Sequence, residues 1–256
     1  MLLAASPVGR WPLYQLDTGE PFDMAVWYNW VGAVGAACWL AAYVLVIVQG
    51  HKQASYGVPL IAVCLNFTWE LMDSFFLPDP VAIWKVIDRS WLLVDLLIVS
   101  QLLRYGKAQQ LWPELRRAFT VLVPVLLCLA LVGQYAWVTT FHDTLGIVLA
   151  FVINLIMSAL YLPFFFARRE SGKGLSLPVA WLKMLGTALS SVQCYFLIPL
   201  IHPVAPSTTK LGTYAFLHFL FVACFALDVL YIVLSSRAGA RGPGSEGVKT
   251  PAQSQP

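Results

Sequence analysis

Three carboxyl side chains, Glu70, Asp95 and Asp228, each stand inside a long apolar run. A carboxylate at the centre of a bilayer costs roughly 2.5–3.5 kcal/mol on insertion scales, so such a group persists where it is paired, neutral or at work. Glu70 lies in Asn66-Phe67-Thr68-Trp69-Glu70-Leu71-Met72-Asp73-Ser74. Helical spacing places Asn66, Glu70, Asp73 and Ser74 on one stripe. Interhelical hydrogen bonding accounts for Asn66 and Ser74. It accounts less well for Glu70, because a Gln would bond equally without a charge at risk. Asp228 lies in Phe225-Ala226-Leu227-Asp228-Val229-Leu230-Tyr231, with Phe221, Cys224, Phe225 and Tyr231 on its face. Such a carboxyl is partly withdrawn from water, and a carboxylic acid held neutral at pH 7 is a usable proton donor. The plainer role is that of a buried partner for a Tyr or Lys on another helix.

Asp88 and Asp95 are seven residues apart and share a face with Trp84 and Trp91. Asp88 is expected at the interface, near Lys85 or Arg89. For the deeper Asp95, lining a cavity and tethering two helices both stay open, and Asp73 is expected nearer the outer interface. Lys183 is read first as a residue snorkelling to the cytoplasmic surface and second as the counter-ion of an acid. Trp69, Tyr195, Phe225 and Tyr231 are chosen from the abundant aromatics as candidates to line a pocket and stabilise cations with their π faces. They are chosen for their nearness to the acids or to the polar face of Ser191, Cys194 and Tyr195.

The elements that position these groups follow from composition. The chain has 256 residues, of which 59% are apolar and 11% charged, with a mean hydropathy of +0.72. Soluble domains carry about 25% charge, so the solvent indicated is a bilayer. Spanning it takes about 20 apolar residues per helix. Seven runs qualify, at about 26–48, 58–77, 86–103, 118–139, 143–166, 179–200 and 211–234. Pro78, Pro80, Gly172, Gly174 and Pro178 punctuate them. With seven spans, Lys52, Arg104, Lys107, Arg116, Arg117, Arg168, Arg169, Lys173, Arg237, Arg241 and Lys249 fall on one side. The other side receives Arg10, Lys85, Arg89 and Lys210. Eleven against four obeys the positive-inside rule.

The expected fold is therefore an all-α integral membrane protein, a seven-transmembrane helix bundle with the N-terminus out or lumenal and the C-terminus cytoplasmic. Residues 1–25 form an extramembrane segment bearing Asp17, Glu20 and Asp23, with no basic-then-apolar signal peptide. Residues 26–236 form the membrane domain, and 237–256, rich in Gly, Ser, Pro and Gln, a disordered cytoplasmic tail.

Other patterns narrow the chemistry. The five cysteines lack CxxC spacing and suit apolar packing. The histidines are scattered, and no metal site is expected. No basic patch interleaved with aromatics points to nucleic acid. There is no DDxxD, NDxxDxxxD, DxDD, HExxH or nucleophile elbow, and no mid-helix lysine in the last span for a retinal Schiff base. The loops leave no room for a soluble catalytic domain, so any chemistry takes place among the helices.

Tyr56-Gly57, followed by Asn66, Trp69 and Glu70 and by an acid near a Tyr in the last helix, resembles the membrane-integral terpene cyclases of meroterpenoid and indole-diterpene biosynthesis. The resemblance covers about residues 26–236. It implies a metal- and cofactor-free cyclase, of isomerase or lyase type, that starts by protonating the prenyl chain. The implied substrate is a lipophilic prenylated aromatic or indole with a terminal epoxide, some relatives protonating an olefin instead. Glu70 and Asp228 are the implied catalytic acids. Asp95, Asn66 and Asp73 are candidates for a supporting role on the reading of the residues themselves, and Asp73, the long acidic amino end and the extended tail depart from the family's pattern. A pathway prenyltransferase and an epoxidase are the implied neighbours, and the implied home is the endoplasmic reticulum of a eukaryote or the cell membrane of a bacterium. The competing reading is a proton-coupled transporter relaying protons through Glu70, Asp95 and Asp228. Pro124, Pro163 and Pro199 as helix kinks favour it, and the absence of a visible repeat weighs against it. A seven-helix receptor or structural subunit is the third reading.

Overall fold

A computed structural model describes residues 25–77, 82–141, 143, 145–201 and 214–240. The amino-terminal segment with Asp17, Glu20 and Asp23, the prolines at 78 and 80, the side chains of Trp84 and Pro199, Lys210 and the tail from 241 lie outside the described residues. Among the described residues the structure is helical, without a strand. The helices are α1 (Trp27–Gln53), α2 (Leu60–Phe75), α3 (Ala82–Tyr105), α4 (Pro113–Phe141), α5 (Ile147–Arg168), α6 (Leu177–Ile201) and α7 (Ala215–Ala240), with a 3-10 turn at Lys107–Gln109. Each overlaps one of the seven apolar runs. The last helix runs on to Ala240, past residue 237 where the tail was expected to begin.

Among the described residues, four helices are long and apolar enough to cross a membrane: Trp27–Gln53, Pro113–Phe141, Ile147–Arg168 and Ala215–Arg237. Of the other three, α2 is only 16 residues long, and α3 carries Lys85, Asp88, Arg89, Asp95 and Arg104. The outside of the bundle is apolar. Val121 is 69% exposed, Leu129 65%, Val132 66% and Val222 69%. The inside holds Glu70, Asp95, Lys183 and Asp228, all buried. Soluble proteins rarely expose apolar patches of that extent, whereas in lipid the polar groups must turn inward. This is a multi-pass membrane protein.

Helix packing closes a ring. α1 packs on α6 and α3, α3 on α2, α2 on α5, and α7 on both α5 and α6, while α4 lies outside against α2. Local chemistry sets the ends. The Asp143 carboxylate accepts from the Leu149 and Val148 amides at 2.7 and 3.3 Å, capping the otherwise unpaired donors at the start of α5. Gly146 takes φ +63° there, with the Trp69 ring lying where a side chain would begin. At the opposite end the Tyr56-Gly57 loop is locked by Arg168. Its Nη1 donates to the Ser55 hydroxyl at 3.0 Å and the Tyr56 carbonyl at 2.8 Å. Its guanidinium lies 4.0 and 4.2 Å from the Tyr56 and Phe164 ring centroids. The five cysteines are all free, Cys64, Cys194 and Cys224 being buried.

Candidate active site

The inward stripe of α2 forms one wall of an internal slot. Asn66 Nδ2 donates to the Tyr43 hydroxyl of α1 at 2.6 Å and to Asp95 Oδ2 of α3 at 2.7 Å. One amide thus ties three helices together and fixes Asp95, which is 2% exposed. One turn further along α2, Glu70 is buried and makes no side-chain hydrogen bond among the described residues. Among the described residues, the carboxyls of Asp95, Asp73 and Asp88 add like charge around it.

Glu70 faces a chamber of about 210 Å³. Trp39, Tyr43, Trp69, Trp91 and Phe151 supply most of its aromatic wall, and Asn154, Thr187 and Ser190 a polar corner. A crevice of about 20 Å³ continues from it, sharing Trp39, Tyr43, Asn66 and Met157 and adding Asp95, Tyr161 and Lys183. The residue numbers give the direction of this slot. From chamber to crevice the wall runs from Ala36 to Val46 on α1 and from Ala150 to Tyr161 on α5. It runs the opposite way on the antiparallel helices, from Glu70 back to Val63 on α2 and from Ser190 back to Lys183 on α6. The slot therefore lies along the bundle axis. Ten residues of α1 make it about 15 Å long at 1.5 Å per residue. Glu70 sits at the wide end and Lys183 at the narrow end. Val58, beside the Arg168-locked loop, helps to close the narrow end, and the Tyr161 hydroxyl donates to the Gly57 carbonyl at 3.1 Å.

Asp228 is not free, and it lines neither space. Lys183 Nζ donates to its Oδ1 at 2.7 Å and its Oδ2 at 2.8 Å, and to Ser158 Oγ at 2.6 Å. Both side chains of the ion pair are 5% exposed. The expectation that Lys183 snorkels to the surface is corrected. Its ammonium stays inside because a carboxylate and a hydroxyl satisfy it there, which makes it the counter-ion of an acid.

Of the other residues chosen from the sequence, Trp69 lines the chamber. Asp73 is half-buried on the same helix. Tyr195 is 54% exposed and meets the rings of Phe196 and His218. Phe225 is 47% exposed on the outer surface. Tyr231 is buried against Tyr161 and Phe165. These three stand away from the slot. Sequence reasoning missed Trp39, Tyr43, Asn154 and Thr187. A signal for the first two exists: they are one turn apart on α1, a spacing that puts two aromatics on one face. Among the described residues no group of three or more His, Cys, Asp or Glu side chains is gathered closely enough to hold a metal ion.

Bundle and slot together define a class: a membrane-embedded helical protein with an aromatic chamber among its helices and, on the chamber wall, a buried acid without a side-chain hydrogen bond among the described residues. Comparison with known proteins gives the family. Residues 20–238 match the Pyr4-like transmembrane terpene cyclases, and the chain belongs to that family. It is 28% identical over 170 residues to the terpene cyclase macJ of Penicillium terrestre, covering 64% of each chain. It is 26% identical over 203 residues to the Pyr4-family terpene cyclase mfmH of Annulohypoxylon moriforme, covering 76% of this chain and 79% of that one. To the terpene cyclase ascF of Acremonium egyptiacum it is 29% identical over 104 residues, 40% of this chain and 38% of that one. No solved structure matches the chain.

Proposed function

We propose that this protein is a membrane-bound terpene cyclase that closes rings by protonating the far end of a prenyl chain, without a metal, on a lipophilic prenylated aromatic or indole bearing a terminal epoxide or olefin. The observation that carries this reading is Glu70. It is a buried carboxyl with neither a salt-bridge partner nor a side-chain hydrogen bond among the described residues, at the wide end of an aromatic slot. A carboxyl so placed can deliver a proton to a substrate in the chamber as a general acid. Family membership supports a cyclase over a proton-coupled carrier.

The substrate reaches the bundle from the bilayer and lies along the slot with its terminus at Glu70. As Glu70 passes its proton to the epoxide oxygen, the C–O bond breaks and the neighbouring alkene supplies its π electrons to form a C–C bond. General acid catalysis of this kind contributes roughly 10²–10⁴-fold. Positive charge then passes along the chain beside Trp39, Tyr43 and Trp91, whose ring faces attract a cation without bonding to it. Loss of a proton from carbon ends the sequence, and the product is an isomer of the substrate. Asp95, held by Asn66 at the narrow end, is placed to accept that proton. The slot keeps water from capturing the cation.

The proposal includes seven spans with the amino terminus outside or lumenal. The Glu70 end then faces away from the cytoplasm, and the Arg168 end faces the basic cytoplasmic side. In the test, membranes containing the full chain are incubated with an aromatic acid carrying a terminally epoxidised farnesyl chain, and products are resolved by mass spectrometry and NMR. Isomeric cyclic products from wild type, lost in Glu70→Gln, are expected. No product from wild type, or full turnover by Glu70→Gln, contradicts the reading.

A further inference from the structure

The ion pair below the chamber has a geometry that a second proton donor would not have. Both carboxylate oxygens of Asp228 accept from one ammonium, and the residue is walled off from the reacting space. Lys183, bonded to Asp228, lines the crevice together with Asp95, while Asp228 does not line it. Its Nζ lies 5.6 Å from the centroid of Trp39, a ring that borders both chamber and crevice. The pair is thus a dipole with its positive end toward the slot, at the opposite end from Glu70.

We propose that Asp228 is a positioning residue that fixes the Lys183 ammonium at the narrow end, and that this fixed positive charge sets where the migrating carbocation stops. The inference rests on the cyclase reading above. A cation generated at Glu70 moves down the slot until like charge opposes it. Trp39, already facing a resident ammonium, stabilises a second positive charge less than Tyr43 or Trp91 does. Deprotonation is thereby confined to the carbons that lie above Lys183. Bonds and protons stay in balance: Glu70 delivers one proton, one is lost from carbon, and the ion pair exchanges none. The pair governs which cyclic isomer forms rather than whether cyclisation begins.

The test compares wild type, Glu70→Gln, Asp228→Asn and the neutral double variants Lys183→Met/Asp228→Asn and Lys183→Met/Asp228→Leu, with membrane levels and thermal stability in detergent measured alongside. The probe is the epoxyfarnesyl aromatic acid. Asp228→Asn leaves a buried ammonium without its anion and is expected to lose at least about 10²-fold in turnover. Breaking a buried pair is costly, whereas replacing both partners by apolar groups of similar size is often neutral. Both doubles are therefore expected to consume substrate within about tenfold of wild type and to change the ratio of cyclic isomers. The second double guards against poor folding of the first. Doubles that fold yet are as inactive as Asp228→Asn overturn the inference, because the carboxyl itself is then required. Doubles that turn over with the wild-type isomer ratio also overturn it, since the pair then only holds helices together. Wild type active and Glu70→Gln inactive, with either of those results, leaves the cyclase reading standing. Wild type inactive removes both.

Discussion

Asn66→Ala is the substitution with the most to lose for one small side chain. The amide serves two buried acceptors on two other helices: the Tyr43 hydroxyl at 2.6 Å and the Asp95 carboxylate at 2.7 Å. A hydrogen bond to a charged group contributes about 1.5–3 kcal/mol and one between neutral groups about 0.5–1.5, which bounds the loss at about 2–4.5 kcal/mol. The site adjoins the chamber, so a water can enter and recover part of that, leaving an expected destabilisation of about 2–3 kcal/mol. The cleaner quantity is the coupling. Thermal or denaturant unfolding in detergent of Asn66→Ala, Asp95→Ala and the double variant is expected to give an interaction energy of about 1.5 kcal/mol or more. Turnover should fall in the singles because Asp95 is no longer fixed at the slot. Additivity within about 0.5 kcal/mol, the behaviour of independent sites, would show that the three-helix tie is not made and refute the reasoning.

Other predictions follow from the two ends of the slot. Gly146→Ala forces a side chain into left-handed backbone, at about 1–2 kcal/mol, and against the Trp69 ring. Lower stability and at least tenfold lower turnover are expected, and wild-type values for both would show that Trp69 is not held there. Arg168→Ala removes two short hydrogen bonds and two ring contacts from the Tyr56-Gly57 loop and is expected to cost about 2–4 kcal/mol in unfolding. Arg168→Lys should recover little of it, because an ammonium lacks the planar fork. Full recovery would mean that charge alone secures the loop. Trp39→Leu keeps apolar volume but removes a π face, so turnover is expected to drop about tenfold and the isomer ratio to change, whereas an unchanged product profile would place the cation's path elsewhere.

The helices were legible because bilayer length and charge bias act on every span at once, and the stripe Asn66–Glu70 because polar residues at helical spacing have only one direction to turn in lipid. What sequence could not show was which residues meet across the bundle. Asp228 and Lys183 are 45 positions apart, and no periodicity within α6 or α7 reports a partner on the other. Both ends of that pair were singled out, but the snorkelling preference for Lys183 treated it as a residue without a mate. Tyr195, Phe225 and Tyr231 were chosen by nearness to polar residues on their own helix. Around Asp228 the middle of α7 is apolar on every side, so its pattern does not show how far the inward face extends, and Phe225, three residues from Asp228, faces outward. For the same reason Trp39 and Tyr43 on α1 escaped notice, although their spacing was visible. The helices outrun the apolar windows at several ends, whereas α5 begins at Ile147, four residues inside its window, where the Asp143 carboxylate caps it; such capping depends on side-chain contacts that an apolar window does not report.

The central claim is that Glu70 is the proton donor, and the most direct measurement is turnover of the epoxyfarnesyl substrate by Glu70→Gln in full-length protein. The amide keeps the size and polarity of the side chain and removes only the transferable proton. Membrane levels and unfolding temperature like those of wild type, with cyclic product reduced roughly 10²–10⁴-fold, are the predicted result. A correctly folded Glu70→Gln that cyclises at the wild-type rate would contradict it.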